Sequence, residues 1–254
     1  MITFGLSPAF ATALVLAFVR SVAWVLICPP FSNVSIPVKV KIGFAGAVAF
    51  FAAGTLQHDV LPQSDAQVMI QVVVQAFVGI VLGFVVSLFV NTVVAAGSLI
   101  DLFSGLNLPQ AVDPLSLQQT PIFGQFYNLV LTALLFTTGA VVVIVEGFVR
   151  SFQAVGTSFP ATTLGLLAQT VAGDVATFFA ASIEIAAPVI VVLFCTEILL
   201  ALLAKAVPQI NVFVFGMSLQ VAVALVVVSV ALIALPGDVS NLVGKAIAQL
   251  FGAF

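Results

Sequence analysis

The sequence predicts an all-α, polytopic membrane fold, and three observations carry that prediction. Charge is scarce, with six basic and nine acidic side chains in 254 residues. It is also unevenly spaced, leaving long uncharged runs over 66–100, 114–145 and 206–237. Finally, 63% of the residues are hydrophobic and the mean hydropathy is +1.34, which excludes an ordinary soluble globule. A bilayer core takes about 20 apolar residues per helix, so the chain has room for about five to seven spans. Backbone in lipid must satisfy its own hydrogen bonds, which favours helices. A β-barrel would need alternating apolar and polar positions, and these runs do not alternate.

The elements follow in order. Residues 9–28 form the first span, opened by Pro8, stopped by Pro29 and Pro30, and interrupted only by Arg20. The segment 29–41, PPFSNVSIPVKVK, reads as a proline-punctuated loop carrying Lys39 and Lys41, and 42–56 as a short apolar helix. A polar turn, QHDVLPQSD, covers 57–65. The run 66–100 is too long for one perpendicular span and must tilt or project beyond the hydrocarbon. Residues 101–121, DLFSGLNLPQAVDPLSLQQTP, read as a loop with three prolines and apolar residues that could not rest in water as a set. One helix is expected over 122–149, a Gly/Ser/Pro/Thr segment over 156–163 and a short apolar piece over 164–172. A long span over 175–203 holds Glu184, Pro188 and Glu197; the turn 204–211, AKAVPQIN, leads to a last span over 212–235 and a short tail.

The same composition limits function. The six basic residues are scattered, whereas nucleic-acid binding would need them clustered, so lipid and protein are the expected surroundings and nucleic acid is not. Cys28 and Cys195 sit in apolar runs and read as small hydrophobes. His58 stands alone in a polar turn, without the Cys or carboxylate neighbours of a metal site. No phosphate-cradling loop, nucleophile elbow or HExxH pattern is present. Neither an enzyme nor a cofactor or metal is expected.

Two constellations stand out. From Gln63 every fourth residue is small or polar: Gln67, Gln71, Gln75, Gly79, Gly83, Ser87, Asn91 and Ala95. Such a ridge favours close backbone approach and interhelical hydrogen bonds, either within one subunit or between subunits. Then there are the charges inside apolar runs. Arg20 is expensive at mid-span unless it meets a partner, for which Glu184 and Glu197 are candidates, or a wet cavity. Asp174, Glu184 and Glu197 could form a proton relay, although the spacing of Glu184 and Glu197 puts them about 140° apart on a straight helix. Glu146 and Arg150 have the spacing and order of a local helix pair. These charges, with Gly- and Pro-interrupted helices, also fit a stand-alone secondary transporter or channel.

Four pieces carry a resemblance: Arg20 before PPF at 29–31, IPVKVKIG at 36–43, GLNLPQAVDP at 105–114, and KAVPQINVFVFGMSLQ at 205–220. In this order they resemble the FliR family of the bacterial flagellar export gate and its injectisome counterparts of the SctT type. The turn at Lys205, Pro208, Gln209 and Asn211 also looks like that of the FliQ family. The resemblance implies one export-gate domain over 1–254, with a FliP-like portion at 1–174 and a FliQ-like helical pair and tail at 175–254, arranged as helical hairpins. It implies a flagellar basal-body protein of the bacterial inner membrane that completes a ring of FliP-type subunits, with FliQ-type hairpins and an FlhB-type protein as partners. Unfolded flagellar proteins would pass through the pore. A loop that closes the pore in this family maps onto Gly105 to Pro121, where Leu106, Leu108, Val112 and Leu115 would seal and Asp113 and Pro114 belong to the matched motif. Leu108 and Ala111 stand where phenylalanines are frequent in the family. The ridge at Gln71, Gln75, Gly79, Gly83 and Asn91 would then pack against other subunits.

Overall fold

A computed structural model of the chain describes residues 8–56, 64–106, 121–154, 156, 161–207 and 212–252. Among these residues the regular structure is helical throughout: α1 (Pro8–Ile27), α2 (Val38–Leu56), α3 (Asp65–Phe103), α4 (Ile122–Thr137), α5 (Ala140–Ala154), α6 (Ala161–Ala206), α7 (Val212–Ala231) and α8 (Leu235–Gly252). Three helices are long and apolar enough to cross a membrane, or up to five spans if each of two bent pairs counts as one. At 1.5 Å per residue, α3 and α6 would be about 58 and 69 Å long, roughly twice a hydrocarbon core.

The helices divide into two compact units that interleave along the chain: 1–89, 139–175 and 243–254 in one, 90–138 and 176–242 in the other. One break falls between Val175 and Ala176, and α3, α6 and α8 each contribute to both units.

In the first unit α1 packs along α2, and α2 reaches α5. Aromatic side chains join the three helices: Trp24 stacks on Phe148 at 4.2 Å between ring centroids and contacts Phe31, which stacks on Phe44. α2 starts earlier than expected. Pro37 fits a helix start because it lacks an N–H, so Lys39 and Lys41 lie on the helix, and Lys41 Nζ donates to Ser32 O at 3.0 Å.

Three further expectations change. The helix expected over 122–149 is two helices bent by 72°, because Gly139 adopts φ +72°, a left-handed conformation that a side chain would strain. The pieces expected at 164–172 and 175–203 are one helix, α6, which runs through Gly173 and Pro188; tertiary context outweighs the helix cost of a glycine. The expected tail after 235 is α8, which opens with Pro236 and Asp238 in its first turn, both favourable there.

Candidate functional site

Arg20 is fully buried in the first unit. Its Nε donates to Gln75 Oε1 at 2.6 Å, Nη1 to Ser151 O at 3.3 Å and Nη2 to Gly156 O at 3.2 Å. Gln75 Nε2 donates to the same Gly156 carbonyl at 3.3 Å, and the guanidinium carbon lies 4.4 Å from the Phe152 ring centroid. These described partners are neutral. They suit the group because the last-turn carbonyls of α5, Ser151 among them, lack intrahelical donors, while the ring face attracts a cation. Arg20 thereby ties α1 to α3 and to the end of α5.

The seam beside it is built for close approach. A Cβ at Gly79 would collide with the Arg20 carbonyl oxygen, and one at Gly83 would sit 3.1 Å from Trp24 O. Gln75, Gly79 and Gly83 are thus buried against the chain's own α1, and this stretch of the row is an internal helix seam. Gln71 is half-buried and Asn91 exposed.

In the second unit, Asp101 holds the start of α4. The residue before that helix is Pro121, whose side chain cannot cap. Asp101 is fully buried at the end of α3; its Oδ1 accepts from Phe123 N at 3.0 Å and its Oδ2 from Gly124 N at 2.9 Å. These are two of the N–H groups a helix start leaves without partners, and a carboxylate also suits the positive end of the helix dipole. Close approach makes this possible, since a Cβ at Gly97 would lie 2.7 Å from Phe123 O. Ser104 Oγ donates to Asp101 O at 3.0 Å, and Gln220 Nε2 of α7 donates to Phe103 O at 3.0 Å. Gly105, with φ +77°, ends this frame, and Leu106 is partly exposed. Of the residues expected in a closing loop, Leu108, Val112, Asp113, Pro114 and Leu115 lie outside the described residues.

Glu184 and Glu197 are both exposed on α6, whereas Asp174 is buried and neither of its oxygens has a hydrogen-bond partner. Lys205 is exposed in the last turn of α6; Pro208, Gln209 and Asn211 fall outside the described residues. The Glu146–Arg150 pair forms on the surface of α5. Asp101 is the residue that sequence reading missed, placed there at the head of a loop. The only signal available was an acid standing a whole loop ahead of a helix that starts behind a proline.

A family model described as bacterial export proteins, family 1, matches residues 11–246. The chain belongs to that family. A flagellar biosynthetic protein FliR of Bacillus subtilis (strain 168) is 30% identical over 229 residues, 89% of this chain and 87% of that protein. One of Escherichia coli (strain K12) is 28% identical over 239 residues, 91% of each chain. A surface presentation of antigens protein SpaR of Shigella sonnei is 25% identical over 210 residues, 78% of this chain and 77% of that one. The family match takes in Arg20, Gln75, Asp101 and the exposed Glu184 and Glu197 of α6.

Proposed function

We propose that this chain is a core subunit of the flagellar type III protein export gate, embedded in the bacterial inner membrane at the base of the flagellum. The observation that carries the reading is the family match over residues 11–246, with the flagellar relatives of Bacillus subtilis and Escherichia coli covering about nine-tenths of the chain. The injectisome-type relative is less identical and covers less, which favours the flagellar reading. The chain completes a ring of FliP-type subunits, with FliQ-type hairpins and an FlhB-type protein against it, and unfolded flagellar proteins cross the pore. The part over 1–174 acts as a FliP-like portion and the part over 175–254 as a FliQ-like pair.

Within this reading the segment from Gly105 to Pro121 closes the resting pore, with Leu106, Leu108, Val112 and Leu115 as the apolar seal. Support comes from chemistry. An apolar, proline-stiffened segment is tolerated at membrane depth only inside protein or along a cavity, and Asp101 anchors the chain on the far side of the loop. Arg20 and Gln75 hold the fold together, which supports a structural role for this intramembrane charge over one in transport. No catalytic step is assigned.

The test is co-expression with FliP-type and FliQ-type partners followed by purification through a tag on this chain. Stoichiometric recovery of both partners is expected. Recovery of a stable, homogeneous monomer despite their presence would sink the proposal.

A further inference from the structure

Helix α6 is covered by its own chain along one edge only. Ser182, Ala186, Val189, Leu193 and Leu200 are buried and recur at the spacing of a single helical stripe. Around them Phe179, Ile183, Val191, Phe194, Leu199 and Leu202 are exposed. In the most apolar stretch of α6, 22% of the residues are buried, against 44% for α3, so most of α6 meets something other than this chain.

Hydrocarbon alone does not fit that surface. The apolar span Gln169–Ala206 is 38 residues long, and a bilayer core takes about 20 of them. A stretch of that length starting anywhere from 169 to 184 contains Glu184, and one starting from 185 to 187 contains Glu197. Wherever the hydrocarbon falls on this span, an exposed carboxylate lies within it, and an ionised side chain facing lipid is expensive. Glu184 cannot turn inward, because it stands two residues from both Ser182 and Ala186, about 200° round the helix from the covered stripe. The ion pair seen among the described residues, Glu146–Arg150, does not involve Glu184. Asp238, an acid of the same unit, lies within electrostatic reach of Glu184.

We infer that the outward face of α6 around Glu184 is an interface for a helix of a neighbouring subunit that presents a lysine or arginine to this carboxylate at membrane depth. A protein helix covers the exposed apolar side chains and supplies the missing cation in one contact, and charge complementarity then fixes which helix can dock. The inference rests on the export-gate reading and names one contact of that assembly.

Two measurements on the co-expressed, purified assembly test it. With p-benzoylphenylalanine at Ile183 or Val191, irradiation should cross-link this chain to a helix of another subunit that carries Lys or Arg within about one turn of the linked position. Glu184→Lys should lower the yield of assembly about tenfold and Glu184→Gln by less, as for one side of an interfacial charge pair. The unassociated chain should be recovered at wild-type levels, since Glu184 is exposed. Cross-links to lipid alone, to a second copy alone, or to a helix without a basic residue would overturn the inference, as would wild-type assembly of Glu184→Lys. If the unsubstituted chain recovers no partner, the export-gate reading itself fails and this contact with it.

Discussion

At Gly79 one added methyl group would meet a backbone oxygen, which cannot swing aside as a side chain can. Gly79→Ala is therefore expected to force α1 and α3 apart and to cost about 1–3 kcal/mol, seen as a lower thermal midpoint in detergent. Gly46→Ala is the control: its Cβ would sit 3.8 Å from the Phe18 ring, and removing a helical glycine should hold or raise the midpoint. Equal midpoints for the two variants would refute the tight seam. Cys28 gives a second test at this scale. It is fully buried at the end of α1. Burial keeps the reagent from the thiol, so maleimide should leave Cys28 unmodified in the folded chain and modify it after denaturation in SDS. Rapid modification of the folded chain would contradict the burial. The importance of Arg20 was legible from its place in an apolar run. Its described hydrogen-bond partners were not: Ser151 and Gly156 offer backbone carbonyls, which carry no residue-type signal, and Gln75 was visible only as one member of a row.

Among the elements, the start of α4 is the junction that depends most on a single side chain. Asp101→Ala would leave the amides of Phe123 and Gly124 without their acceptors, at a cost of about 1–2 kcal/mol in the range of lost helix caps. Faster hydrogen exchange at those two amides should accompany the lower stability, and unchanged exchange would show that α4 starts without this support. Helix existence was readable from uncharged length, and the bounds of α1 from Pro8, Pro29 and Pro30. The break between α4 and α5 was not, because Gly139 lies among apolar residues where glycine is also common in continuous membrane helices. Gly173 shows the reverse: it lies between the two pieces expected at 164–172 and 175–203 and is passed over within α6. A glycine permits a left-handed turn, and only the packing around it decides whether one is made.

For the whole molecule, the scarcity of charge spoke for membrane helices, and the length of α3 agrees with a run too long for a perpendicular span. Hydropathy alone could not separate surfaces meeting lipid from surfaces meeting protein. The two exposed carboxylates of α6 separate them better than any apolar residue does. At this scale belongs the test of the closing role proposed for Gly105 to Pro121. Shortening 106–120 should leave assembly with FliP-type and FliQ-type partners largely intact, because the anchoring contacts of Asp101 and Gln220 fall outside the deleted stretch. Conductance of the resting assembly to small ions, recorded in planar bilayers, should rise. An unchanged conductance would refute the closing role.

The Asp101 contact also bears on how this part of the chain can change over evolutionary time. One carboxylate and two amides define both jaws of a clamp, and Gln220 holds Phe103 beside it, so the stretch from Leu106 to Thr120 lies between ends that are held by residues outside it. Loop closure grows costlier by only about 0.6 kcal/mol for each doubling of length, so such a stretch can be lengthened, trimmed or rewritten while the scaffold that holds it stays put. Selection is then free to change that segment without refolding the protein around it.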